Sequence, residues 1–307
     1  MSAHRHGHAE ARHAPFGVAL VITLGYAVVE LFGGLWTGSL ALISDAGHMF
    51  SDALALGLAA IAAWLARRPA GHRHSYGWAR AEVIGATLNS LLMLLIIVAL
   101  VVEAVTRLLD PRPVAALGMT LIALVGMAIN ALVIWIMSRA ERTLNTRAAL
   151  LHVIGDLVSS FAAVVAGTVI YFTGWLPIDP ILSLVIAGLI LVSTVRLLRD
   201  TVHVLMEGVP PALELGVIGK ALAALPGVES VHDLHVWSIT PGQVALSAHL
   251  EIRDLRQWPG TLAAATSLVH ERYGIGHVTL QPELHRTGGG SDTAVIRLWP
   301  RGRRPRK

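Results

Sequence analysis

The chain has 307 residues, 54% of them hydrophobic and only 14% charged, and it contains no cysteine. A mean hydropathy of +0.62 is too high for an ordinary soluble domain of this length, and the absence of thiols excludes disulfides and thiolate metal sites. The formal charge of +4 does not point to nucleic acid, because the basic residues sit in short loops and in an Arg-rich tail, Arg297–Lys307.

Residues 1–14 form a tail bearing His4, His6, His8 and His13, a pattern equally consistent with loose metal binding and with a solvated segment. Six apolar segments follow at about 15–36, 40–66, 82–105, 114–137, 148–172 and 180–198, each near the roughly 20 residues that a helix needs to cross a bilayer. Residues 15–200 are therefore expected to be a six-span transmembrane domain. The first segment lacks a small-residue cleavage site and reads as a retained helix. Arg5 and Arg12, then Arg67, Arg68, Arg73 and Arg80, then Arg139, Arg142 and Arg147 mark alternate loops, which places both termini in the cytoplasm.

Residues 205–285 change character and read as a cytoplasmic domain. Pro210–Pro211 precede an amphipathic helix through Leu213, Val217, Ile218, Ala221, Leu222 and Leu225, which Pro226–Gly227 ends. A strand at 228–238, a turn at Thr240–Pro241–Gly242, a strand at 244–252, a helix at 259–273 and a strand at 277–281 complete an αββαβ order, that of a two-layer α+β sandwich. A basic tail occupies 286–307.

Ionisable groups inside a span cost about 2.5–3.5 kcal/mol each at the helix centre, so their placement is informative. In the second segment Asp45, His48 and Asp52 recur at i, i+3 and i+7 and share one helical face. The fifth segment repeats the element as His152 and Asp156. If the two faces meet, two imidazoles and two carboxylates make a tetrahedral N₂O₂ set suited to Zn²⁺, whereas a single pair reads as a packing hydrogen bond. Asp45 is an accessory candidate that could guide an ion, cap the helix or be hydrated. Asn89 and Asn130 are expected to join helices, and Glu30 and Glu103 have no assignment from spacing.

These residues lie in stretches that resemble the cation diffusion facilitator family, zinc-transporting branch: Ser39 to Asp52, Tyr76 to Glu82, His152 to Asp156, and Val231 to Trp237. The resemblance implies a homodimer of six-span protomers with ferredoxin-like cytoplasmic domains, exporting Zn²⁺ from the cytosol in exchange for protons. It also implies that His48, Asp52, His152 and Asp156 are the transport ligands. His232, His249 and Glu283 match a cytoplasmic metal site, with Gln281 where some relatives carry His, and His235, His277 and His285 are further candidates. Strand alternation turns residues 232 and 235 to opposite faces unless a bulge intervenes. A loop site at His72 and His74 is incomplete, because Trp78 replaces a His.

Cd²⁺, Co²⁺, Fe²⁺ and Mn²⁺ remain alternative cargoes, because affinity order does not select the ion. A metal sensor is the alternative of another class. An intramembrane metalloprotease is disfavoured by the lack of a His-Glu-x-x-His element, so no enzymatic activity is expected. The expected partners are a divalent metal ion, protons, the lipid bilayer and a second copy of the chain. The expected location is a bacterial inner (plasma) membrane.

Overall fold

The computed structural model describes residues 7–66, 68, 71–138, 144–240, 242–284 and 299–300. Side chains are described from Val21 onward, with those of 56, 59, 63, 66, 144–149, 151–152 and 299–300 outside the description. His4, His6, His285 and most of the Arg-rich tail lie outside the described residues, as does the side chain of His152. The chain divides into two compact units, one of Met1–Ala60 with Gly85–Leu198 and one of Ile61–Ile84 with Arg199–Lys307.

The first unit is helical. Helices α1 (Gly7–Thr37), α2 (Leu40–Ala66), α3 (Ala81–Leu109), α4 (Ala116–Ser138), α5 (Leu144–Thr173) and α6 (Ile178–Leu205) stand where the six apolar segments were expected, although α1 begins upstream of residue 15. Among the described residues, four helices are long and apolar enough to cross a membrane: Ala81–Leu109, Ala116–Ser138, Val153–Thr173 and Ile178–Leu205. Val21–Thr37 is a shorter apolar helix. Many of their large apolar side chains face outward, Leu95, Leu189 and Phe172 among them. An apolar exterior around satisfied helical backbone is what a lipid environment demands.

Small residues bring these helices close. Gly126 of α4 lies against the Tyr26 ring of α1, where a side chain would collide with it, and the Tyr26 hydroxyl donates to the Ile122 carbonyl at 2.8 Å. Ala41 and Leu42 of α2 pack with Met119 and Ala123 of α4 and with Ala163 and Ala166 of α5. Asn130 donates to Ser160 at 3.2 Å, and the Ser51 hydroxyl reaches Asn89 at 3.5 Å, so both asparagines do join helices.

The second unit holds a four-stranded sheet in the order β3-β2-β1-β4, formed by β1 (Val228–Thr240), β2 (Gln243–Ile252), β3 (His277–Leu284) and β4 (Trp299–Pro300). β1 and β2 are an antiparallel hairpin, β2 and β3 are parallel, and β4 adds Trp299 and Pro300 opposite Val231 and Ser230. Helices α7 (Leu215–Ala223) and α8 (Trp258–Tyr273) supply Ile218, Leu222, Ala265 and Val269 to a core completed by Val231, Leu234, Val236, Leu246 and Leu250. Gly274, at φ 67, ends α8 in the left-handed conformation that costs glycine least. The αββαβ order is thus present, with β4 as an addition.

Candidate metal sites

Within the helical unit, α2 and α5 run antiparallel: Ala41 and Leu42 cluster with Ala163 and Ala166, and one turn farther along α2, Asp45 meets Ser159 and Ser160. Ser159 donates to one Asp45 carboxylate oxygen, and the Ser160 hydroxyl lies 3.5 Å from the other. All three residues are buried.

From this contact, three residues along α2 and three back along α5 reach His48 and Asp156, and seven along each reach Asp52 and His152. Because both helices rise about 1.5 Å per residue, the two members of each pair lie equally far from the Asp45–Ser159 contact, each along its own helix. His48 Nδ1 lies 3.5 Å from Asp52 Oδ2, and both side chains are partly exposed. Asp156 is buried and lies within electrostatic reach of Asp45. The two His–Asp elements thus lie on helices that meet, antiparallel, at Asp45 and Ser159.

Glu30 of α1 is also fully buried and lies against Asp45, with the Tyr26 hydroxyl 3.4 Å from its Oε1. A buried polar chain therefore links α1, α2, α5 and α4 through Glu30, Asp45, Ser160 and Asn130. Sequence spacing did not reveal it. The adjacent hydroxyls Ser159 and Ser160, one turn past Asp156, are the signal that could have done so. Glu103 takes no part, pairing instead with Arg107 at 2.8 Å and Arg112 at 3.3 Å.

The C-terminal unit brings His232, His249 and Glu283 together, with ligand atoms within 4.8 Å of one another. His232 and His249 are cross-strand partners on β1 and β2, and Glu283 lies on the neighbouring β3. The Glu283 carboxylate spans both rings, with Oε1 2.8 Å from His249 Nδ1 and Oε2 3.1 Å from His232 Nε2. Two imidazoles and a carboxylate are an ordinary Zn²⁺ donor set, and the buried His232 Nδ1 has no hydrogen-bond partner among the described residues. The site's chemistry fits a divalent cation.

A register shift falls between His232 and His235, where Asp233 adopts φ 50. The shift breaks the alternation, so His235, opposite Ser247, lies on the same face of the sheet as His232, opposite His249, with His232 buried and His235 exposed. Asp233 accepts from His235 Nε2 at 2.9 Å and lies 3.8 Å from His249 Nε2, a residue that strand alternation had not singled out. The hydrogen bond from His235 holds the Asp233 carboxyl below its ordinary range, aided by the neighbouring histidines. His235 therefore faces Asp233, and His277 packs edge-on against Tyr76 at 5.8 Å. In register, Gln281 stands beside His249.

In the loop between α2 and α3, the His74 ring packs on Trp78 with centroids 4.7 Å apart, and Gly71 and His74 exchange backbone hydrogen bonds. Among the described residues, the one set of three potential ligands within 4.8 Å is that of the C-terminal sheet, so His72 and His74 are not brought into such a set. Arg80, at the end of the loop, pairs with Glu207 at 2.9 Å.

Residues 17–206 match the family model described as the cation efflux transmembrane domain, and residues 210–285 match that of the cation efflux protein cytoplasmic domain. The chain belongs to the cation efflux family. Among curated proteins it is similar to a cadmium, cobalt and zinc/H(+)-K(+) antiporter of Bacillus velezensis, 39% identical over 286 residues that cover 91% of each chain. It is also similar to the zinc transporter ZitB of Escherichia coli, 37% identical over 291 residues covering 92% of each. The metal cation efflux system protein CzcD of Cupriavidus metallidurans is 35% identical over 284 residues, 92% of this chain and 90% of that one. Among solved structures, the metal-bound C-terminal domain of the CzcD transporter is 33% identical, covering 24% of this chain and all of that one, with a TM-score of 0.23.

These relatives place the chain in the zinc branch of the cation diffusion facilitator family. The family consists of membrane transporters that carry divalent metal out of cells, and not of enzymes.

Proposed function

We propose that this member of the cation efflux family exports Zn²⁺ from the cytosol in exchange for protons, with Cd²⁺ and Co²⁺ as further cargoes, through a site made by His48, Asp52, His152 and Asp156. The observation that carries the reading is the antiparallel meeting of α2 and α5 at Asp45 and Ser159, from which His48 and Asp156 lie three residues away, and Asp52 and His152 seven, each on its own helix. The names of the relatives, which include zinc, cadmium and cobalt, support the choice of ions.

Imidazole and carboxylate bind metal only when deprotonated, so loading the site from a protonated state releases protons and reprotonation weakens metal binding. This couples the two ions without a separate relay. On this reading the imidazole of His48 or His152 is the ligand that exchanges metal for a proton.

On this reading residues 15–200 span the inner membrane six times, both termini are cytoplasmic, and residues 205–285 form the dimerising cytoplasmic domain. There His232, His249 and Glu283 hold a regulatory or structural Zn²⁺. The deciding measurement is a metal panel in proton-loaded proteoliposomes comparing wild type with His48→Asn and Asp52→Ala. Zn²⁺ uptake by wild type and its loss in Asp52→Ala support the assignment; full uptake by Asp52→Ala rejects it.

A further inference from the structure

Asp179 lies in the first turn of α6 and is fully buried. Its carboxylate accepts hydrogen bonds from Ser39 Oγ at 2.8 Å, from the Leu40 N–H at 2.7 Å and from the Ala41 N–H at 3.1 Å. One carboxylate thus stands at the N-terminal ends of two helices, its own and α2, where unpaired N–H groups and both helix dipoles favour negative charge. The residue that caps α2 comes from 140 positions away in sequence.

Other groups hold the same turn. Arg107, in the last turn of α3, donates to the Gly38 carbonyl and approaches Asp179 at 4.0 Å, and is itself held by Glu103 at 2.8 Å. Leu40 packs with Leu100 and Ala104 of α3, and Leu184 of α6 joins that cluster. The first turn of α2 is therefore gripped by α3 and α6 through Leu40 and its cap and by α4 and α5 through Ala41 and Leu42, and Asp45, one turn later, meets Ser159 and Ser160 of α5.

His48 and Asp52 follow on the same unbroken helix, about 12 and 18 Å along its axis from Leu40. A helix is stiff over two to three turns, so its level and rotation at the capped end determine where those side chains stand. We infer that Asp179 is a positioning residue for transport: by fixing the level and rotation of α2, it sets His48 and Asp52 against α5. The inference rests on the transport-site reading above and adds the group that aligns its first two ligands.

The test is Zn²⁺ and Cd²⁺ uptake by the full chain in proteoliposomes, with Zn²⁺ bound by the His232 cluster measured on the same preparations as a folding control. Asp179→Asn keeps the side-chain shape but drops the charge. It should raise the KM for Zn²⁺ about tenfold or more and shift the preference between Zn²⁺ and the larger Cd²⁺. Ser39→Ala, a milder change at the same contact, should move KM in the same direction and add little in the Asp179→Asn background, because the two share one interaction. If Asp179→Asn does not fold, Ser39→Ala alone decides. Unchanged KM and ion preference, with Vmax falling only as the amount of folded protein falls, overturns the positioning role while leaving the ligand assignment intact. Full transport by Asp52→Ala overturns the ligand assignment and the inference together.

Discussion

Ser159 of α5 donates its hydroxyl hydrogen to the Asp45 carboxylate of α2, and both residues are buried. Removing that donor leaves the carboxylate with the Ser160 hydroxyl at 3.5 Å and with Glu30. Loss of a partner to a buried polar group costs about 1–3 kcal/mol. Ser159→Ala is expected to lower the melting temperature of the purified protein and its transport rate, and Ser159→Thr, which keeps the hydroxyl, to restore both.

Asp156→Ala removes a carboxylate from the proposed ligand set. In proteoliposomes loaded with a pH indicator, the variant should show neither Zn²⁺ uptake nor metal-driven proton flux. Undiminished proton flux would sink the assignment of Asp156.

The cluster on the C-terminal sheet predicts a stoichiometry. His249→Ala and Glu283→Gln should each reduce the Zn²⁺ retained per chain after dialysis, whereas His235→Ala, whose ring faces Asp233, should leave it unchanged. Chelation should lower the melting temperature of wild type but not of His249→Ala, since metal stabilises only the state that binds it.

Gly126 tolerates no side chain without movement of Tyr26, whose hydroxyl oxygen would be nearest the added carbon. Gly126→Ala should destabilise the helical unit by about 1–3 kcal/mol, the usual range for overpacking. Adding Tyr26→Phe should recover part of the loss in thermal unfolding.

Asp254 accepts from the Arg256 side chain and from the Arg256 N–H at the start of the 3-10 turn Leu255–Gln257, and these bonds hold its carboxyl below the ordinary range. A carboxyl lowered in the folded state stabilises it fully above the unfolded value, and that contribution disappears as pH falls through the folded value. The stability difference between wild type and Asp254→Asn should therefore be constant near neutrality and shrink once the pH drops below about 4. Unfolding curves across that window measure it.

How far the sequence foretold these features depended on how local each feature is. The helices were legible because a long apolar run leaves few alternatives, and α2 runs over Leu40–Ala66 as expected. β3 extends past residue 281 to Leu284 because an edge strand can carry Pro282, and the extension brings Glu283 into the sheet. β4 went unread, since two paired residues leave no periodic trace. The spacing of Asp45, His48 and Asp52 showed a shared face, but their level relative to Asp156 follows only from the packing of α2 on α5. Asp179 stands just before the apolar segment at 180–198, and no local pattern marks it as a cap, because the helix it caps lies far away in sequence. Asp233 was missed because its role depends on a left-handed residue within a register shift.

The antiparallel pairing of α2 and α5 also bears on chain length. Inserting one residue between Asp45 and His48 would turn every later position of α2 by about 100° and advance it by about 1.5 Å, breaking the correspondence with α5 at both proposed ligand pairs. An extra residue next to Gly242, past the last paired residues of β1 and β2, would leave the strand register intact. The stretch from Asp45 to Asp52 should therefore accept substitutions far more readily than changes in length. A one-residue deletion there should be as damaging to transport as losing a ligand outright.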